Sequence, residues 1–155
     1  MSHAFWEWSL DRYDWPDVQI ACLDLQDQNG LNINICLWCC WLAEEDRDAT
    51  PSLQQAIDAL EPWTRDITQA IRETRRELKN WPDASALYKS VLACELDAEH
   101  TEQDILFALA ADVRESRENT AITASRSLAE YARLKGIHND FTSLLKAVFP
   151  ATKKV

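Results

Sequence analysis

Glycine is scarce in this chain, with two in 155 residues alongside five prolines. All-β folds spend glycine on tight turns, so the shortage points to helices. It also removes the usual phosphate cradles. Neither a P-loop nor a Gly-x-Gly-x-x-Gly turn can be assembled, and no Gly-x-Ser-x-Gly elbow is present. Long apolar runs are missing too. The longest nearly uncharged run, Ile33 to Ala43, falls short of the ~20 residues that a membrane-spanning helix needs, so no membrane segment is expected. Residues 1–15 lack the basic-then-apolar order of a secretory leader. Positive charge is in deficit: 16 Lys and Arg against 26 Asp and Glu give a net charge of −10. That balance repels a phosphate backbone and argues against nucleic acid as a partner. Five cysteines, an odd number with two adjacent, make no disulfide framework. The expectation is a cytoplasmic protein.

What the chain has in abundance lies between Ala21 and Ala43. This stretch holds four of the cysteines and two of the seven tryptophans in two apolar segments joined by a polar hinge. Proline at position 16 suits the first turn of a helix, and Val18, Ala21, Cys22 and Leu25 then share one face. Asn29-Gly30 closes that helix and Asn32 can cap the next. A hairpin is the alternative for residues 18–42, because Asn-Gly lies between two runs that begin with alternating apolar residues. The alternation fails at Cys22-Leu23 and from Leu37 to Leu42, which favours helices.

Elsewhere the periodicity predicts a first helix capped by Ser2, a polar linker from Asp46 to Ser52, and a short helix from Ser52 to Leu60. A new amphipathic helix is expected to start at Glu61-Pro62. Its buried stripe would be Trp63, Ile67, Ala70, Ile71, Leu78 and Trp81, with Arg65, Arg72, Arg75, Arg76 and Lys79 on a solvated face. Beyond Trp81-Pro82-Asp83, Leu87, Tyr88, Val91 and Leu92 are expected to face inward. The acidic run Glu95 to Asp104 is read as solvated, with the helix broken near Asp97 to Thr101 and Thr101 capping a further helix; one long helix is the alternative. Asn119 or Thr120 begins a helix that Gly136 ends, and Asp140 to Phe149 makes the last. The resulting expectation is an all-α bundle of about seven or eight helices around a buried central helix from Asn32 to Ala43. One domain would span residues 1–150, with 151–155 as a flexible tail.

Chemistry-bearing patterns are thin. Cys36-x-x-Cys39-Cys40 lacks a second ligand pair for zinc and lacks the strand that precedes a thiol-exchange motif, so the thiols read as core. Asp97-x-x-His100 has no second copy and is not a di-iron signature. No catalytic residue, metal ligand or cofactor is assigned. The aromatic opening is more suggestive. Trp6 and Trp8 cannot share a helix face, so one of them is a candidate for a contact surface.

Phe5-Trp6-x-Trp8-Ser9-Leu10 with Tyr13, then Val18, Ala21-Cys22-Leu23-x-Leu25-Gln26-Asp27, Gly30, Asn34 and the Leu37–Leu42 run carry a resemblance. They resemble a family of small, predominantly proteobacterial cytoplasmic proteins known only as a domain of unknown function. The resemblance implies a helical fold and supplies no activity, substrate or catalytic residue.

Two functional expectations follow. The first is a non-enzymatic interaction or regulatory protein, binding an unknown protein or itself, with Trp6 and Trp8 at the contact. The second is a small-molecule-binding protein or enzyme with a pocket at the 26–34 hinge, where Gln26, Asp27 and Asn34 converge.

Overall fold

The fold is that of a computed structural model describing residues 2–151. Its centre is α3 (Ile33–Glu44), in which every residue from Ile35 to Ala43 is buried. A helix that is apolar on all sides must be enclosed by others. Four helices do so: α1 (Ala4–Tyr13), α2 (Pro16–Asn29), α6 (Ser85–Ala110) and α7 (Thr120–Leu134). The short α8 (Thr142–Val148) packs on α2. The fold is all-α, apart from a two-residue antiparallel pair in which β1 (Arg47–Asp48) meets β2 (Arg114–Glu115).

Residues 18–42 form the helix pair and not the hairpin. Gly30 takes the left-handed conformation, φ 64°, and its N–H reaches the Gln26 carbonyl. A side chain there would be strained. Asn32 then caps α3, its Oδ1 accepting from the N–H groups of Asn34 and Ile35. The α1 cap differs from the expectation. His3, not Ser2, accepts the Trp6 N–H through Nδ1, while Ser2 bonds Glu7. No side chain of Ser52 caps the helix after it.

Three further expectations are corrected. Pro62 does not start a helix but lies inside the last turn of α4 (Leu53–Trp63). Proline has no N–H to return to the preceding turn. The chain continues through a π-helical turn, Thr64–Thr68, where the Gln69 N–H bonds the Thr64 carbonyl, and into α5 (Gln69–Leu78). The acidic run is not a break either. Glu95 to Asp104 is the middle of one 26-residue helix, α6, and its Glu95, Glu99, Glu102 and Asp104 carboxylates meet partners from other elements. Lastly, the distal ends of α5 and α6 form a helical arm whose expected faces are exchanged in part. Trp81, Leu87 and Leu92 are 62, 55 and 45% exposed, whereas Arg72 and Arg75 are largely covered and paired with Glu95. The polar linker 46–52 carries β1 and a 3-10 turn, with Asp48 buried. Of the expected tail 151–155, all but Ala151 lies outside the described residues.

The cysteines take the core role assigned to them. Cys22, Cys36, Cys39 and Cys40 are buried and Cys94 is exposed. Burial pushes all four interior thiols up, Cys22 to about 12, so none of these four is a ready nucleophile. Among the described residues no helix is long and apolar enough to cross a membrane.

Candidate functional site

A cavity of about 400 Å³ opens between α1 and the end of α2 on one side and the α5–α6 arm on the other. Helical spacing explains its walls. Trp6, Ser9, Leu10 and Tyr13 fall on one face of α1 at steps of three and four residues, and all line it. Glu99, Glu102 and Gln103 do the same from α6, and Gln69, Arg72 and Arg76 from α5. Gln26 and Asp27 come from the last turn of α2, and Asn34 and Leu37 from the first turns of α3. The hinge residues singled out in the sequence, Gln26, Asp27 and Asn34, therefore share one cleft.

The floor of the cleft is a connected polar network. Glu102, 2% exposed, accepts from Asn34 Nδ2 at 2.8 Å and Asn32 Nδ2 at 3.1 Å on one oxygen, and from the Thr64 hydroxyl at 2.8 Å on the other. The π-helical turn presents that threonine. Asn34 Oδ1 accepts from Gln103 Nε2 at 2.9 Å, and the same Nε2 donates to Ser9 Oγ at 3.0 Å. The Asn32 backbone N–H donates to the buried Tyr131 hydroxyl at 2.9 Å. Gln103 is 3% exposed and its Oε1 has no partner.

The wall nearer the mouth is charged. Arg72 donates to Glu95 at 3.1 Å and Glu99 at 3.0 Å. The Gln26 carbonyl oxygen lies 3.1 Å from Arg72 when its amide is oriented to suit the guanidinium. Arg76 reaches Asp27 at 3.5 Å. Burial pushes the Glu99 carboxyl up against the opposing pull of Arg72. Burial also drives the Glu95 carboxyl upward, but hydrogen bonds from Arg75 and Arg72 outweigh it and hold that group below its usual range. Tyr13 is pushed up to about 12, mainly by burial and also by the carboxylates of Glu99 and Asp27, so it stays a neutral phenol.

Trp6 and Trp8 are both half-buried and engaged within the chain. Trp6 stacks flat on His100, ring centroids 3.8 Å apart, and forms part of the cleft wall. Trp8 lies across α1 from it, its indole N–H donating to Glu44 at 3.1 Å and Arg12 stacked on its ring.

One cluster outside the cleft has metal-ligand chemistry: His3, His100 and Asp104, with ligand atoms within 4.8 Å of one another. Its hydrogen bonds oppose the role. A metal-bound imidazole donates its second nitrogen's proton. His3 Nδ1 instead accepts the Trp6 N–H, so the neutral ring carries its proton on Nε2, which faces Asp104 at 3.0 Å. No lone pair of His3 is then left for a cation.

Glu102, Gln103 and Thr64 are not singled out by the sequence, which offers Arg72 and Arg76 only as part of a solvated face and Ser9 only as part of the family resemblance. A partial signal existed in matched charges: Glu95 and Glu99 lie four residues apart, Arg72 and Arg75 three apart, and the two pairs meet between α5 and α6. Reading a break at residues 97–101 concealed the first pair.

No curated protein and no solved structure matches the chain. The family described as protein of unknown function (DUF2390) matches residues 4–106, more than half of the chain and a span holding every residue that lines the cleft, and the chain belongs to that family.

Proposed function

We propose that this protein binds a small polar organic molecule in the cleft between α1 and the α5–α6 arm. One observation carries the reading: an open cavity of about 400 Å³ ends on a network of buried polar side chains. Burying Glu102 and Gln103 costs free energy unless each polar atom is matched. A fold needing only stability would fill such a floor with apolar side chains. The volume suits a small-molecule site, and the mixed lining, with Leu10, Leu31 and Leu37 beside a charged wall and a polar floor, suits a polar ligand. Heteronuclear NMR of the labelled protein against a panel of polar metabolites tests this. The side-chain amides of Asn34 and Gln103 and the indole of Trp6 should shift together for a binder. A panel that moves only resonances remote from the cleft overturns the reading.

A contact role draws its support from a different surface than the sequence suggested. Trp6 and Trp8 are occupied within the chain, whereas Trp81, Leu87 and Leu92 on the arm are exposed. Exposed large apolar side chains of this kind favour a protein partner or self-association. Sedimentation velocity across a wide concentration range, with Leu87→Glu as the control, separates a self-associating arm from a solitary one.

A further inference from the structure

Building on the binding role proposed for the cleft, we infer that its ligand carries a primary ammonium group, held over Glu102 and Gln103. The inference begins with charge. Three carboxylates line the cavity, those of Asp27, Glu99 and Glu102, against two guanidinium groups, those of Arg72 and Arg76. Arg72 is spent on Glu95 and Glu99, and Arg76 faces Asp27 near the mouth. That leaves Glu102, the most deeply buried of the three, with neutral donors only. Among the described residues it forms no ion pair. A buried carboxylate facing a cavity, and lacking a cation of its own, attracts one from outside.

The second observation is independent of charge. A carboxylate can only accept hydrogen bonds, so Glu102 fixes Asn34 with its NH₂ toward Oε2. Asn34 Oδ1 must then accept from Gln103, which commits the Gln103 NH₂ to Asn34 and Ser9. Gln103 Oε1 is thereby left as an acceptor without a donor, an atom almost wholly shielded in a side chain that lines the cavity, so a donor reaches it only if the amide shifts toward the ligand. Turning the amide over would set its oxygen against Asn34 Oδ1 and lose that hydrogen bond, although the Ser9 hydroxyl could then donate to the turned oxygen. The site needs a ligand that brings positive charge and an N–H at once. A primary ammonium has three N–H donors and no acceptor, whereas a quaternary ammonium has no donor and an anion has the wrong sign. Leu10, Leu37 and Leu96 line the same cavity and suit a short aliphatic body. The ring of Trp6 suits a cation near its face.

Three six-carbon probes of one length test the assignment: hexan-1-amine, which is charged at neutral pH, hexan-1-ol, and hexanoate. Each is titrated into the wild-type protein while the Asn34 and Gln103 side-chain amides are followed by NMR. The expected result is that the amine binds at least tenfold more tightly than either other probe. The variant Glu102→Gln should remove that preference. It keeps the contacts in place: the new carbonyl can take both asparagine amides, and the new NH₂ can donate to Thr64 Oγ, which reverses that bond and leaves the Thr64 proton without its acceptor. Equal or tighter binding of hexanol or hexanoate overturns the ammonium assignment while leaving a binding cleft. No response to any of the three also overturns it. The cleft reading itself falls only if the wider metabolite panel leaves those amides unmoved as well. Should Glu102→Gln fail to fold, the ranking of the three probes on the wild-type protein decides alone.

Discussion

Replacing Asn34 by Asp changes one NH₂ into an oxygen and nothing else in shape. In the native network that NH₂ lies 2.8 Å from Glu102 Oε2. Two ionised carboxylates at that distance repel by about 6 kcal/mol at an effective dielectric of about 20, so the folded pair takes up a proton instead. The cost at neutral pH is then set by protonating one carboxyl well above its ordinary range. Relative to an unfolded value near 4, that is about 4 kcal/mol at pH 7. The sign follows from the direction of the shift. A carboxyl whose folded pKa is raised destabilises the fold only above its unfolded pKa, so the penalty should shrink by about 1.4 kcal/mol for each unit the pH falls. Near pH 4 the shared proton should restore most of the lost stability. Urea unfolding of wild type and Asn34→Asp from about pH 4 to pH 8 reads this directly. Asn34→Ala is the control: it removes the hydrogen bond to the charged Glu102 and the one from Gln103, about 3 kcal/mol together, with no comparable slope. A penalty for Asn34→Asp that stays flat across this range would refute a shared floor in which Asn34 and Glu102 face each other.

Three more outcomes are expected. Tyr131→Phe removes the acceptor for the Asn32 N–H at the start of α3 and should cost about 1–2 kcal/mol in chemical denaturation. It should also perturb the Asn34 amide, because the α3 cap sits on that contact. Asp48 gathers Thr50, Arg114, Arg126 and Ser127 at the β1–β2 pair. Burial opposes its ionised form, yet the hydrogen bonds from Thr50 and Arg114 prevail and hold its carboxyl at about 2. Its stabilising contribution is present above the unfolded carboxyl range near 4 and is lost as pH falls toward 2, so Asp48→Asn should lower stability at neutral pH and flatten the acid limb of the unfolding profile between those values. Thiol titration should find one fast-reacting cysteine, Cys94, in the native protein, with the other four reacting only on unfolding.

The centre of this fold is legible in the sequence because its signals are local and unopposed. An apolar run with no polar face, Ile35 to Ala43, has one solution, burial on all sides. The turn before it is written in backbone chemistry, with Gly30 supplying a positive φ and Asn32 a cap. The same logic exposed the hinge: Gln26, Asp27 and Asn34 are polar residues set between apolar segments, and all three line the cleft. The α5–α6 arm is illegible for the opposite reason. Arg72 and Arg75 turn inward onto carboxylates while Trp81, Leu87 and Leu92 stay exposed, so a rule that turns every apolar side chain inward misassigns these residues, although Arg65, Arg76 and Lys79 are exposed as it expects. Pro62 misleads in a related way. A proline reads as a helix start, yet a π-helical turn after it absorbs the register change, and the rod runs on.

That register change bears on the floor of the cleft. The π-helical turn starts at Thr64, whose hydroxyl completes the donors around Glu102. A second source of compensation lies at the N-terminus of α3. The capped first turn of a helix carries partial positive charge, and Asn32 and Asn34, which hold Glu102 Oε2, both belong to it. Dipoles and neutral amides of this kind make an ionised carboxylate tolerable, but they do not neutralise it. A lysine or arginine in their place would neutralise the carboxylate and fill the space above it. Tolerated but uncancelled charge at the end of an open cavity suits reversible capture of a cation, because the empty state stays folded and the filled state gains the full ion pair.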